Sequence, residues 1–310
     1  MQRPSAAWIL VISFLVAGPA IAGPFEDATK AYYSGDYETT YRLIKPLAEQ
    51  GLPEAQYNLG LMYDKGHGVP QDYAETAKWF RKAAEQGNAK AQFNLGLMYD
   101  KGQGVAQDSA EAAKWYRKAA EQGNAEAQLH LGLMFDKGQG VAQDSAEAAK
   151  WFRKVAEQGN AKAQFHLGLM YEKGQGVAQD YAEAVKWFRR AAEQGFPEAQ
   201  FNLGLMYSRG QGVPQDYGEA VKWFRKAAEQ GFPEAQFNLG LMYNKGQGVS
   251  QDDVLSHMWF NLAASRFPAS DNENREKAGK NRDRVASRMT TAQIAEAQRL
   301  AREWKPKMEQ

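Results

Sequence analysis

Residues 91–123 read AQFNLGLMYDKGQGVAQDSAEAAKWYRKAAEQG, and the start of this stretch returns every 36 residues along the chain. The returning string is Ala-Gln, then an aromatic residue or Leu, then Asn or His, then Leu-Gly-Leu-Met. It begins at Ala55, Ala91, Ala127, Ala163, Ala199 and Ala235. A tryptophan recurs in the same register, at Trp79, Trp115, Trp151, Trp187, Trp223 and Trp259. Six units therefore cover 53–268, and a fixed period of this length is typical of a solenoid of stacked repeats.

Each unit contains two stretches in which apolar residues have helical spacing. In the first unit, Pro53 suits the first position of a helix, and Gly66 suits a left-handed C-terminal cap. Asp72 is placed to cap the second helix, Glu75 to reach back and complete a capping box, and Gly87 to end that helix. The sequence therefore predicts an all-α fold, an α/α solenoid of helix-turn-helix units.

Small residues stand where the two helices of a unit are expected to cross. Helical spacing places Gly60 of the first helix and Ala77 of the second so that the helices can approach closely. Tyr57 and Leu61 lie on the far side of the first helix, so we expect them to contact the next unit. Contacts between units are what make a solenoid stable as an array.

The spacing of these residues resembles that of a known family. The pattern A-x-x-x-L-G-x-x-Y-x-x-G-x-G-V-x-x-D-x-x-x-A-x-x-W-(F/Y)-x-x-A-A-x-x-G, followed from Ala91 to Gly123, is similar to the Sel-one-like repeat (SLR), a tetratricopeptide-like helical repeat. The resemblance implies a right-handed superhelix with a concave surface. It also implies a family whose members hold other proteins in assemblies, signalling or envelope processes.

Residues 1–22 have the pattern of a secretory signal peptide. Arg3 precedes an apolar run over 6–17, and Ala20-Ile21-Ala22 fits a cleavage site between Ala22 and Gly23. The run is short for a membrane span, and an uncleaved N-terminal anchor is the alternative interpretation. We therefore expect an exported protein, periplasmic or secreted, with no stable membrane anchor after cleavage.

Both ends of the array depart from the repeat. Residues 23–52 align with the unit as a degenerate N-terminal capping repeat with a shortened connection. Residues 269–310 are expected to form a C-terminal helical cap, in which Thr290 and Gln293 match a capping box and Trp304 covers the last apolar face. The basic excess of this segment leaves two interpretations, contact with an anionic surface or a solvated capping helix.

Composition argues against several function classes. The chain has 38 Lys+Arg against 37 Asp+Glu, which gives no basic excess for phosphates, so we expect no nucleic-acid partner. Because there is no cysteine, disulfides and lipoprotein acylation are excluded, and a zinc site would need His and carboxylates alone. The sequence contains neither G-x-S-x-G nor S-x-x-K, and its G-Q-G-V turns lack the Lys-Ser/Thr of a phosphate loop. We expect no catalysis, no metal and no cofactor.

Two further expectations concern the surface of the second helices and the turns. Lys78, Arg81 and Lys82 have acidic residues three or four positions away, which predicts a neutral, solvated helix face. His67 replaces the Gln that other units carry in the same turn, and we interpret it as a neutral change at an exposed position.

One polar position recurs in the first helix of every unit and is the candidate binding site. The amide column, as we call this set, consists of Asn58, Asn94, His130, His166, Asn202 and Asn238. Asn amides along a groove can bind the backbone of an extended peptide, or they can satisfy groups between the first helices. Neighbouring aromatic residues are expected to assist: Tyr57, Phe93, Phe165, Phe201 and Phe237. A metal at the paired histidines is disfavoured, since no carboxylate recurs at ligand spacing.

We therefore expect an exported, non-catalytic interaction scaffold that binds a protein or peptide in the concave groove. The identity of the partner is open. One alternative is a cell-envelope enzyme acting on peptidoglycan or β-lactams, as proposed for some cysteine-rich relatives, from which this chain departs in having no cysteine. Another is an accessory scaffold for polysaccharide export.

Overall fold

The structure is a computed structural model that describes the backbone of residues 19–307 and the side chains of residues 23–307. Residues 1–18 of the predicted signal peptide lie outside the described residues, and the backbone of residues 19–22 belongs to the first helix. The described chain forms sixteen helices and no strand. In order they are α1 (Pro19–Tyr33), α2 (Tyr37–Glu49), α3 (Pro53–Lys65), α4 (Tyr73–Glu85), α5 (Ala89–Lys101), α6 (Ser109–Glu121), α7 (Ala125–Lys137), α8 (Ser145–Glu157), α9 (Ala161–Lys173), α10 (Tyr181–Glu193), α11 (Pro197–Arg209), α12 (Tyr217–Glu229), α13 (Pro233–Lys245), α14 (Asp253–Arg266), α15 (Asn272–Ala286) and α16 (Thr291–Glu303).

The 36-residue period appears as helix pairs, from α3 with α4 in repeat 1 to α13 with α14 in repeat 6. The two helices of a pair pack against each other, as α3 does with α4 and α11 with α12, and the second helix packs against the first helix of the next repeat, as α4 does with α5 and α10 with α11. The predicted all-α solenoid of helix-turn-helix units is therefore confirmed. The chain divides into two compact units, Met1–Trp151 and Phe152–Gln310, with the division inside α8.

Side-chain caps fix many of the helix starts, but one predicted cap is wrong in its second half. The Asp72 carboxylate accepts hydrogen bonds from the backbone N–H groups of Ala74 and Glu75, as predicted. Glu75 does not reach back, because the Asp72 N–H donates to the Tyr63 carbonyl oxygen at 3.0 Å. The Glu75 carboxylate instead accepts from Trp79 Nε1 at 3.1 Å. The predicted capping box at Thr290 and Gln293 is present in full.

Glycine sets the distance between the two helices of a repeat. A Cβ added to Gly60 would lie 2.6 Å from Phe80 Cδ1, so the ring of the second helix rests directly on the backbone of the first. Tyr57 stacks on Phe80 at 5.5 Å between ring centroids and shares a buried cluster with Leu95 of the next repeat. The predicted contact of Tyr57 with the neighbouring repeat is therefore confirmed.

In both compact units, the second glycine of a turn contacts the start of the second helix of the preceding repeat. Gly104 has φ +67°, and a Cβ there would lie 2.0 Å from the Tyr73 carbonyl oxygen at the start of α4. In the second unit, a Cβ on Gly212 would lie 2.2 Å from the Tyr181 carbonyl oxygen. A side chain at these positions would therefore force successive repeats apart.

A buried glutamine connects successive repeats, a role that the sequence analysis did not assign. Gln92 is 4% exposed; its Nε2 donates to the Ala84 carbonyl oxygen of repeat 1, and its Oε1 accepts from Gln122 Nε2 at 2.7 Å. The same pair of bonds recurs at Gln56, Gln164 and Gln200. In repeat 6, Arg266 stands at the position of Gln122, the glutamine that donates to the Oε1 atom in repeat 2. The corresponding acceptor, Gln236 Oε1, is buried without a partner.

The outer face of the second helices differs from the predicted network of acid–base pairs. Lys78 pairs with Glu75 at 2.7 Å, as expected. Lys82 instead lies 4.3 Å from the centroid of the Trp79 ring, and Arg81 donates to the Tyr99 hydroxyl of the next repeat. The arginine-to-tyrosine bond recurs between Arg153 and Tyr171, Arg189 and Tyr207, and Arg225 and Tyr243.

The histidine of the first turn, His67, packs against another ring instead of lying exposed as predicted. His67 stacks on Tyr37 with ring centroids 4.0 Å apart and is half-buried. Burial lowers its pKa below the ordinary value of 6.5. His67 is therefore held against α2, and our interpretation of it as a neutral change at an exposed position is wrong.

Helices beyond the six repeats pack against both ends. At the N-terminal end, Phe25 of α1 and Ile44 of α2 share a buried cluster with Leu59. At the C-terminal end, Trp304 meets Trp259 with ring centroids 6.4 Å apart. Helix α15 lies within the predicted helical cap of 269–310, but the sequence does not predict its bounds. Its buried residues are only Ala278 and Val285, too few to give a periodic pattern. None of the helices within 19–307 has the length and apolar character that crossing a membrane requires.

Candidate protein-binding surface

The predicted site residues lie on the first helices of the repeats, which are α3, α5 and α7 in the first unit and α9, α11 and α13 in the second. We call the exposed side of these helices the first-helix face. A leucine three positions after each residue of the amide column is half-buried there, at Leu61, Leu97, Leu133, Leu169, Leu205 and Leu241. Each unit therefore presents an apolar stripe with polar residues beside it.

In repeat 2, the column amide is used inside the fold. Asn94 is 6% exposed, and its Nδ2 donates to the Tyr57 hydroxyl of repeat 1 at 3.2 Å. Burial raises the pKa of Tyr57 to about 12, although the hydrogen bond from Asn94 acts in the opposite direction. Both side chains therefore contribute to the contact between α3 and α5.

The two histidines of the column are flanked by aromatic rings. In the first unit, His130 stacks on Tyr116 at 5.0 Å and meets Phe93 edge-on at 5.7 Å. In the second unit, His166 stacks on Phe152 at 5.0 Å and meets Phe165 at 5.6 Å. Residues 23–307 contain no group of three or more His, Cys, Asp and Glu side chains able to hold a metal ion.

The last two amides of the column bond to their own helices. Asn202 Nδ2 donates to the Glu198 carbonyl oxygen at 2.8 Å, and Asn238 Nδ2 donates to the Glu234 carbonyl oxygen at 2.9 Å. The aromatic residues beside them are also packed. Phe201 meets Phe224 and Phe232, and Phe237 meets Phe260 with Lys277 of α15 above its ring.

Asn58 differs from the other three asparagines of the column. It is 3% exposed, and its amide makes no hydrogen bond to any described residue. It lines an open pocket of about 290 Å³ between α3 and the start of α5. The lining residues are Glu54, Tyr57, Asn58, Gly87, Asn88, Ala89 and Lys90.

The far wall of this pocket comes from the next repeat. Asn88 caps α5 by accepting from the Ala91 N–H at 2.9 Å, and the first turn of α5 follows with Ala89 and Lys90. Glu54 and Lys90 bring charges of opposite sign to the rim. The pocket thus offers an amide that both donates and accepts hydrogen bonds, an aromatic wall and no net charge. It contains no nucleophile with an adjacent base.

The sequence pattern predicts one wall of this pocket but not the other. Tyr57 and Asn58 are neighbours in the chain, and both line the pocket. The pattern gives Gly87 only the role of ending a helix, although stacking of the repeats brings residues 87–90 beside α3. Asn58 has the same position in its repeat as the other residues of the amide column and differs from the other asparagines in having no internal hydrogen bond.

The repeats match the family model described as Sel1 repeat six times, over residues 53–88, 89–124, 125–160, 161–196, 197–232 and 233–266. This chain belongs to the Sel1 repeat family. A Sel1 repeat protein from Oxalobacter formigenes has a similar structure, with 37% identity and a TM-score of 0.66, over 80% of this chain and 97% of that one.

A second similar structure is that of c5321, described as a protective antigen of uropathogenic Escherichia coli strains with an SLR fold. It shares 29% identity with a TM-score of 0.51, over 92% of this chain and 84% of that one. No curated protein matches this chain. Sel1 repeat proteins generally act as protein-interaction scaffolds, and the fold is typically non-catalytic.

Proposed function

We propose that this Sel1 repeat protein is an exported scaffold that binds an extended segment of a partner protein on the first-helix face, without catalysis. The observation that carries the proposal is Asn58. Most of the Asn58 side chain is buried, but its amide atoms reach solvent at the pocket opening. The amide lacks an internal partner, so it is free to donate a hydrogen bond to a bound ligand and to accept one from it.

The surroundings of Asn58 fit a peptide better than a small metabolite. Leu61 and Leu97 provide half-buried apolar surface along the first-helix face. A carboxamide can donate to a backbone C=O and accept from a backbone N–H, which recognises an extended chain whatever its sequence. The face therefore combines a polar contact for the main chain with apolar surface for side chains.

Site-specific photo-crosslinking in intact cells tests the binding face. We would place a photo-reactive residue at Lys90 or Glu126, which are exposed on first helices, and for comparison at Lys78 or Lys114, which are exposed on second helices. We expect one identified protein to crosslink from the first-helix positions and not from the others. Equal crosslinking from both helix types, or crosslinking from the second helices alone, would contradict the proposal.

The role of Asn58 has a matched control. We expect Asn58→Ala to lower the crosslinking yield from Lys90 at least about fivefold, because the variant removes the polar contact to the partner. Asn202→Ala removes an amide that is bonded to its own helix and should leave that yield unchanged. Circular dichroism of both variants checks that helical content is preserved.

Export is supported by the charge and apolar pattern of residues 1–22. We expect the protein in the periplasmic or secreted fraction to begin at Gly23. Intact-mass measurement on the fractionated protein tests this. A chain that keeps residues 1–22 and stays in the cytoplasm would refute export while leaving the binding proposal open.

A further inference from the structure

The pocket beside Asn58 has filled counterparts in the second unit. The position of Asn88, at the start of the incoming first helix, is occupied by Phe196 before α11 and by Phe232 before α13. Each of these phenylalanines is followed by proline at the first helical position. The same backbone position therefore carries a small polar cap at Asn88, Asn124 and Asn160 and a large ring at Phe196 and Phe232.

The rings of the second unit point toward the counterpart of Tyr57. Phe196 lies 5.4 Å from Phe165, and Phe232 lies 5.5 Å from Phe201, measured between ring centroids. Phe165 and Phe201 are the residues that correspond to Tyr57 in repeats 4 and 5. The space between Tyr57 and Asn88 thus corresponds to space that a phenyl ring occupies in the second unit.

The pocket has room for such a ring. A cavity of about 150 Å³ lined by apolar side chains holds benzene, and this pocket measures about 290 Å³. Gly87 contributes to the opening, since a Cβ added there would meet no atom within 4 Å. The rim charges of Glu54 and Lys90 offset each other and give no preference for a charged side chain.

We infer that this pocket takes an aromatic side chain, phenylalanine above all, from the partner segment. The inference rests on the proposed binding function and names its specificity. The ring would pack on Tyr57 above Gly87 and Asn88, as Phe196 packs on Phe165, and the Asn58 amide would bond the main chain of the same segment. The protein's own phenylalanines thus indicate the kind of side chain that fits this pocket.

Titration of capped tripeptides into the isotope-labelled mature chain, followed by NMR, tests the inference. The probes are acetyl-Gly-Phe-Gly-amide and the same peptide with Leu, Ala or Asp at the centre. We expect the Phe peptide to shift the backbone signals of Gly87, Ala89 and Lys90 and the side-chain amide of Asn58. Its affinity should exceed that of the Ala peptide at least about tenfold, because a buried ring adds apolar area.

Variants identify the site. Asn88→Phe combined with Ala89→Pro reproduces the Phe-Pro pair of residues 196–197 and should abolish binding of the Phe peptide, since the variant ring fills the pocket. Asn124→Phe with Ala125→Pro makes the same change one repeat later and should leave binding at Gly87 intact. Thermal unfolding confirms that each variant is folded.

Several outcomes would overturn the inference. They are binding of the Leu, Ala or Asp peptide as tight as that of the Phe peptide, unchanged signals at Asn58, or full binding by the Asn88→Phe, Ala89→Pro variant. Failure of the scaffold function gives a different result, namely no partner crosslinked from Lys90 even though the Phe peptide binds. Capture of the partner by the filled variant would leave the scaffold intact and refute the aromatic pocket.

Discussion

The contact between repeats 1 and 2 and the contact between repeats 4 and 5 have the same backbone pattern but different residues at one position. In the first, Asn88 caps α5 and leaves a pocket beside Tyr57. In the second, Phe196 has no side-chain cap bond and packs on Phe165, with Pro197 at the first helical position. The residue at the position before the first helix, Asn88 or Phe196, therefore decides whether the contact between repeats contains a pocket or a packed ring.

The energetic terms of the two contacts are of similar size. A side-chain N-cap contributes about 1 kcal/mol to helix stability. A phenyl ring that is half-buried contributes about 1–2 kcal/mol, and proline at the first helical position removes an N–H that would lack a helical partner. Array stability therefore does not require the pocket to be filled, which leaves this position free to serve binding.

The largest expected effect tests whether the two regions share one stacking geometry. Gly104→Ala and Gly212→Ala each place a Cβ within 2.2 Å of a carbonyl oxygen in a left-handed conformation. We expect each to lower the free energy of unfolding by about 3 kcal/mol or more, measured by urea denaturation. Gly87→Ala is the control, because it has positive φ but open space, and should cost about 1–2 kcal/mol. Unequal losses at Gly104 and Gly212 would show that the regions stack differently.

The next effect compares the two residues directly. We expect Phe196→Ala to lower the free energy of unfolding by about 2 kcal/mol, from lost packing on Phe165. Asn88→Ala should cost about 1 kcal/mol, from the lost cap alone. Paired urea denaturation curves measure both. If Asn88→Ala were the more costly change, the filled contact would not be the better packed one.

A buried hydroxyl distinguishes repeat 2 from its counterparts. Tyr116 is fully buried and its hydroxyl has no hydrogen-bond partner, whereas Phe188 and Phe224 stand at this position in the second unit. We expect Tyr116→Phe to raise the free energy of unfolding by about 1 kcal/mol, because it removes an unpaired buried polar group. Phe188→Tyr, the reverse change, should destabilise. A loss of stability in Tyr116→Phe would mean that the hydroxyl is satisfied.

The smallest effect concerns the arginine between repeats 2 and 3. Arg117 lies 5.6 Å from the Phe135 ring, where other repeats have a tyrosine that accepts a hydrogen bond from the arginine. We expect Phe135→Tyr to raise the free energy of unfolding by about 0.5 kcal/mol. Tyr207→Phe should remove a similar amount by breaking the bond from Arg189. Identical stability of Phe135→Tyr and the wild type would show that solvent screens this bond.

The fold was predictable from the sequence because its determinants are local and repeated. Proline, aspartate and glycine mark the helix ends within a few residues of the bonds that they make, as at Asp72 and Gly66. The second half of the capping box was not predictable, because the Asp72 N–H finds a carbonyl nine residues away in the preceding helix. The buried Gln92 was missed because its partners lie in two different repeats.

The candidate site was predictable only in part. The period identified the amide column, yet Asn58 and Asn94 look alike in sequence. Their difference depends on what lies one repeat before each of them: Asn94 meets the Tyr57 hydroxyl, whereas Asn58 follows the shortened capping repeat and finds no partner there. Site identity in a repeat protein therefore depends on the neighbouring repeats as much as on the residue.

The contacts between repeats also bear on how the chain is assembled during synthesis. The bond from Gln92 to Ala84 spans 8 residues, that from Arg81 to Tyr99 spans 18, and that from Asn94 to Tyr57 spans 37. Each repeat can therefore dock as soon as the next one leaves the ribosome, because loop closure over such short distances is fast. Lys307 and Glu229 are 78 residues apart, so this contact closes a longer loop than the contacts between successive repeats and has a larger entropic cost.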